Sequence, residues 1–272
     1  MARTRRKQPK SNENSRLIET SPFFKFGEVS IFPTQPKMPR NSPVANIGTV
    51  FAINNITTGD VGFSPEPAGK GGPRNRADRE SHVLKATQIA NLVASTRHAA
   101  LIGLPFTRMI TIHWEAAGVL LADMVKATGR YIDLLSKALA RHGSATAWLW
   151  VHENGDGKGG HCHLLAHVPA RLVQIVTRLQ KGWLRKITGK PYKAGVIHSR
   201  PIGRRLGVEV GNPALHAANL ETVLHYVLKE ASLESIVRFR LSRYEFGGCV
   251  IGKRCATSQN IGRKARLQLR EG

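Results

Sequence analysis

The sequence predicts an α+β fold, an antiparallel sheet with helices packed on one face and the other face open to a ligand. Three observations point there. Strand-like and helix-like apolar periods follow one another as strand, helix, strand, strand, helix, strand. A glycine-rich link, 154–160, joins the two middle strands as a hairpin loop would. The second middle strand holds two histidines one residue apart in an apolar run, so both project to the same face.

In chain order, a helical pattern over 77–99 offers Val83, Ile89, Leu92 and Val93 as buried positions. A strand over 106–114, a helix over 118–140, strands over 146–153 and 161–168, a helix over 170–187 and a strand over 196–201 follow. This is a split β-α-β arrangement of the ferredoxin-like or RRM-like kind. A last amphipathic helix covers 214–231, its apolar stripe being Leu220, Val223, Leu224, Val227, Leu228 and Ala231. Residues 1–76, rich in Pro, Gly, Ser, Asn and basic side chains, read as a basic, disordered N-terminal region. Residues 77–232 form the main domain, and 233–272 read as a basic C-terminal extension.

Lys and Arg number 41 against 18 Asp and Glu, a formal charge of +23. So large an excess favours a polyanionic partner, nucleic acid first among them. Charge names the partner class and not a reaction. Three cysteines, Cys162, Cys249 and Cys255, cannot all pair within one chain, which suits a reducing compartment. The basic N-terminus is followed by polar residues instead of an apolar segment, and no run approaches the ~20 apolar residues of a membrane span. The expected setting is cytoplasmic, with no membrane partner.

His161 and His163 are natural metal ligands once they share a strand face. If Glu153 lies opposite His161, then Val151 lies opposite His163, and Glu153 joins the histidine face as a third ligand. Under that register Trp148 and Trp150 pack toward the small residues Cys162 and Ala166. A one-residue slip brings His152 to the histidine face and exposes both tryptophans. On the last helix Tyr226 and Lys229 fall outside the apolar stripe and close to one another, which suits a nucleophile beside a cation.

His-hydrophobic-His on a strand, followed by Tyr-x-x-Lys on a later helix, resembles the HUH endonuclease superfamily in its single-tyrosine replication-initiator form. Cysteine takes the hydrophobic slot at Cys162. The resemblance spans about residues 104 to 231 and leaves the N-terminal third unexplained. It implies a nickase using Mg2+ or Mn2+ on His161, His163 and an acidic third ligand, with Tyr226 as nucleophile and Lys229 stabilising the developing negative charge. The implied partner is single-stranded DNA at a replication origin of a plasmid or phage, with a host helicase and DNA polymerase completing rolling-circle replication. Transposases of the same superfamily share the motif order.

Lys158 in the central loop, His167 further along the histidine strand, and Lys253 and Arg254 are the candidate DNA contacts. The last two end the segment 247–254, which nearly spells a phosphate-binding loop but has Arg254 where Ser or Thr should hold a metal ion. His113, Trp114 and Glu115 end the first strand and could border the site, while His225 has no evident role. A non-catalytic nucleic-acid-binding protein is the rival from another class. A structural zinc module is disfavoured, because Cys162 faces away from both histidines and the other cysteines lack zinc-site spacing.

Overall fold

Alternation over six residues fixes the first long strand, because Ile110 and Ile112 point into one core while Met109, Thr111 and His113 point to the opposite side. The computed structural model describes residues 78–155 and 157–268, all within one of the two units into which the chain divides. The expected N-terminal region 1–76 lies outside the described residues.

The elements run β1 (Glu80–Ser81), α1 (Ala86–Leu101), β2 (Arg108–His113), α2 (Met124–Arg141), β3 (Trp148–Glu153), β4 (His161–Ala166), α3 (Val173–Thr188), β5 (Ile197–Pro201), α4 (Val208–Gly211), α5 (Pro213–Val227), α6 (Leu233–Arg238), β6 (Val250–Ile251), β7 (Cys255–Thr257) and α7 (Arg263–Gln268). Five strands form one antiparallel sheet in the order β5-β2-β4-β3-β7, and β1 pairs with β6 in a separate two-stranded ribbon. The α+β class is therefore observed. Strands β3 and β4 sit in the middle and are buried almost throughout.

Helix α2 buries Met124, Ala127, Thr128, Tyr131, Ile132, Leu135, Ala138 and Leu139, a stripe at intervals of three and four residues. Helix α3 does the same with Val173, Val176, Gln180, Trp183 and Leu184 and stops at Gly189, whose φ of 67° suits a left-handed cap. Both stripes meet Ile110, Ile112, Trp150, Cys162, Leu164 and Ala166 of the sheet. Each fully buried side chain of this size removes apolar surface worth roughly 1.5–3 kcal/mol.

The opposite face was expected to be open, and it is not. Ile89, Leu92 and Val93 of α1 and Leu220, Leu224 and Val227 of α5 close over Leu149, Val151 and Leu165. An apolar stripe shows that a helix buries a face without showing against what, so the stripes of these two helices did not reveal that they cover the second face of the sheet. Asn212 caps α5 by accepting from the Leu215 amide at 3.0 Å, with Pro213 in the first turn.

Three boundaries also differ from expectation. The helix expected from residue 77 begins at Ala86, because Glu80–Ser81 is drawn into the ribbon with Val250–Ile251. The helix expected from 118 begins at Met124, after Gly118 (φ 80°) and a single 3-10 turn, Leu121–Asp123. Helix α5 ends at Val227 instead of running to 231, because Leu84 takes over the backbone pairing: its amide donates to Glu230 O at 2.9 Å and its carbonyl accepts from Ser232 N at 3.3 Å.

The segment expected as an extension from residue 233 is built into the same body. Strand β7 pairs with β3, and the ribbon strand β6 partners β1. Segment 247–254 is correspondingly no phosphate-binding loop, since a strand follows it instead of a helix. Arg254, expected to contact DNA, is buried: Nη2 donates to Glu230 Oε2 and to Gly248 O, both at 2.8 Å, and Nη1 to Ser81 O at 2.7 Å. A guanidinium is the side chain that satisfies three acceptors at once in a dry setting.

Arg254→Ala leaves Glu230 buried without its partner and should lower unfolding free energy by about 3–5 kcal/mol in a denaturant titration. A loss under about 1 kcal/mol would show that this pin does not hold the ribbon.

Candidate metal centre

The β3–β4 register sets Glu153 opposite His161 and Val151 opposite His163, so the one-residue slip that would have brought His152 forward does not occur. His152 instead turns to the α2 side, where its Nε2 lies 2.8 Å from the Thr128 hydroxyl, which also accepts from Trp114 Nε1 at 2.8 Å. Period-two alternation then delivers Glu153, His161 and His163 to one face, under α5.

The three ligand-bearing atoms lie within 4.8 Å of one another, and all three residues are buried. His161 Nε2 is 3.2 Å and His163 Nε2 3.4 Å from Glu153 Oε2. His161 Nδ1 sits 2.8 Å from the Gly159 carbonyl, which only accepts, so Nδ1 carries the proton. His161 Nε2 is thereby left facing a carboxylate oxygen of Glu153. Such a contact calls for a proton or a cation between the two atoms. His163 Nδ1 pairs with the Thr111 hydroxyl at 2.9 Å, leaving Nε2 aimed at the same point. Among the described residues neither His163 Nε2 nor Glu153 Oε1 has a hydrogen-bond partner. Two unpartnered buried polar atoms and two oriented imidazoles fit a divalent cation.

Lys229 contributes a resident positive charge. Its ammonium pairs with Glu153 Oε2 and lies 3.5 Å from Glu245 Oε2. It was expected on the polar face of a continuing helix; it occupies the turn after α5 and is buried. Tyr226 is half-buried beside it, with the ammonium 4.9 Å from the ring centroid. The Tyr226 ring packs edge-on against His163 at 5.1 Å between centroids. The expected nucleophile and the expected ligands thus meet in space, although they come from different elements.

The charges shift one another. Burial alone would raise the Glu153 carboxyl, yet His163, His161 and Lys229 hold it well below the usual carboxylate range. Burial lowers the His163 imidazole against the pull of Glu153. Burial would also lower Lys229, but Glu153 outweighs it and the ammonium is held above its ordinary value. The Tyr226 phenol is raised, by burial first and then by Glu153 and Glu245, with Lys229 opposing.

Of the remaining candidates, His167 is half-buried and its Nδ1 lies 2.8 Å from the Pro105 carbonyl, a bond just past the end of the central strand β4. Lys158 is exposed and reaches Glu245 at 3.8 Å, and Lys253 is exposed. His225 accepts from the Ser242 amide at 2.8 Å, which explains its burial. Glu115 accepts from the Gly160 amide at 2.8 Å and lies against Gly159, whose φ of 64° favours glycine.

His113 was expected at the border of the site; the other neighbours were not legible in the sequence. Thr111 orients His163, Glu245 and Arg243 approach the Lys229–Tyr226 pair, and His113 stacks on His161 at 5.4 Å with His198 edge-on at 5.8 Å. Only period-two spacing along β2, which aligns Thr111 with His113, carried a signal for any of them.

The imidazoles of His113 and His152 are pushed down, by burial first, to about 4 and about 3. The unfolded chain takes up these protons near pH 6.5 while the folded chain does not, so the stability they contribute is complete above about pH 6.5 and is lost as pH falls toward those values. Melting temperature should therefore drop from pH 7 to pH 5, less steeply in His152→Gln, and a flat profile would refute the assignment. Thr111→Val should weaken divalent-ion binding about 10–100-fold by freeing the His163 ring, read by calorimetric titration.

No family model matches this chain, and neither a curated protein nor a solved structure matches it, so a functional reading rests on the chemistry of the site itself.

Proposed function

We propose that the chain is a metal-dependent enzyme that nicks and rejoins single-stranded DNA at a replication origin, with Tyr226 as its nucleophile. The observation that carries this reading is the meeting of Tyr226 with His163 at 5.1 Å, over a buried Glu153–His161–His163 cluster that Lys229 bridges to the tyrosine ring. The sheet order β5-β2-β4-β3 with α2 and α3 on one face supports a ferredoxin-like split β-α-β core, to which α5 adds the tyrosine. The charge of +23 favours a polyanionic substrate.

Glu153, His161 and His163 would hold a divalent ion of the magnesium or manganese class, which when bound withdraws charge from a phosphate and orients it. The chain's own residues do the rest. Tyr226 attacks phosphorus through its phenolic oxygen. One P–O bond forms, the bond to the 3′ oxygen breaks, and the phenolic proton is lost as the departing oxygen gains one. A 5′-phosphotyrosine and a free 3′-hydroxyl result, and reversal of the step rejoins the strand.

Because burial holds the phenol protonated, Lys229 must meet the negative charge as it develops on the phenolic oxygen. Arg243, exposed and 5.7 Å from the Tyr226 ring centroid, offers a phosphate contact at the entrance. Thr111 keeps His163 in one orientation.

One observation favours a second reading, a nucleic-acid-binding protein without catalysis: the Lys229 ammonium already partners Glu153. Both readings meet the same test. Purified protein is incubated with labelled single-stranded DNA covering the parent replicon, with and without Mn2+, alongside Tyr226→Phe and His163→Ala. The expected result is a metal-dependent covalent adduct that vanishes in Tyr226→Phe and falls by about a hundredfold or more in His163→Ala. Tight binding that is unchanged in Tyr226→Phe, with no adduct on any segment, would overturn the enzyme and leave the binding protein.

A further inference from the structure

A second group of ligating side chains lies apart from the tyrosine site, on the ribbon formed by β1 and β6. Glu80 pairs with Ile251 and Ser81 with Val250. Glu80 and His82 are two residues apart, so they share one side of the ribbon, and continuing the register by one residue brings His82 across from Cys249. One carboxylate oxygen, one imidazole nitrogen and the Cys249 sulfur all lie within 4.8 Å of one another. From this convergence we propose that Glu80, His82 and Cys249 form a second metal centre, one that takes a zinc-class divalent ion.

Donor chemistry selects the ion. A thiolate with an imidazole and a carboxylate suits zinc, whereas magnesium and calcium require oxygen-rich shells. This is a different preference from that of the Glu153 cluster, which lacks sulfur: Cys162 projects to the opposite side of β4. Three protein ligands leave a fourth tetrahedral position for water. Glu80 and His82 are exposed and Cys249 is half-exposed, so an ion has a direct path in.

The backbone beneath the three ligands is held by polar bonds from behind. Arg254 donates to Ser81 O at 2.7 Å and to Gly248 O at 2.8 Å, Gly252 N donates to Arg79 O at 2.7 Å, and Asn154 Nδ2 donates to Cys249 O at 2.9 Å. Gly247 and Gly248 pass so close to the carbonyls of His82 and Asn154 that a Cβ at either would collide with backbone. The ligands are therefore carried on a frame whose spacing is fixed before an ion arrives, which lowers the ordering cost of binding. The ion would clamp β1 to β6 at the point where Asn154, the residue after Glu153, is also attached. Zinc-site spacing was absent from the sequence because the ligands come from the two ends of the described chain.

Full-length protein is freed of metal with a chelator, kept reduced, and titrated with Co2+ while near-ultraviolet absorption is followed. A thiolate-to-cobalt charge-transfer band should appear, saturate at about one equivalent and be displaced by Zn2+. The band should vanish in Cys249→Ser and in His82→Gln, each checked for wild-type melting, and persist in a His161→Ala/His163→Ala variant. Bound zinc measured by elemental analysis should be one equivalent lower in Cys249→Ser than in wild type. No band in the wild-type protein, or a band that survives Cys249→Ser, would overturn the proposal.

Discussion

A single buried carboxylate organises the centre of this protein. Glu153 sits at the end of β3 with two imidazoles and an ammonium gathered around it, and removing that anion would leave Lys229 charged in a dry interior. Its position follows from pairing alone, since the register that packs Trp150 against the α2 and α3 side forces Glu153 to the opposite side. The hydrophobic and electrostatic halves of the molecule are thus set by the same choice of register. A slip of one residue would break both.

Helices α1 and α5 turn what would be an exposed sheet surface into a second core, and the site lies at the margin of that core. Enclosure strengthens every charge interaction there, which is why Lys229 keeps its proton while burial strips neighbouring imidazoles of theirs. Tyr226 stands at the boundary, with one edge against His163 and another reachable by Arg243. The ion pair of Glu153 and Lys229 is therefore held inside, while the half-buried phenol and the exposed Arg243 stand at the entrance.

How much of this was legible depends on the range over which each feature is determined. Strands β2 to β5 and helices α2 and α3 were readable because their periods are local, and the Glu153–His161 pairing was readable because a short glycine-rich link constrains it. Tyr226 and Lys229 were readable as a pair by helical spacing, but the burial of Lys229 was not, since it depends on where α5 docks. Arg254 was read as a surface contact from its charge and its glycine neighbours. Its true partner, Glu230, belongs to another element and follows only from tertiary packing. The pairing of β1 with β6 was invisible for the same reason: two-residue strands carry no periodicity of their own.

Strand β7 completes the edge of the sheet beside β3, while β6 captures β1 from the opposite end of the described chain. Both pairings close very long loops, so their entropy is spent before any contact compensates for it, and the final sheet cannot assemble from its early strands alone. During synthesis the chain would expose an unpartnered β3 edge and a ribbon strand without a mate until residues 250–257 leave the ribosome. The order of emergence therefore makes residues 250–257 the gatekeeper of the native state, and Glu153, at the end of β3, settles into its final surroundings only when that segment arrives.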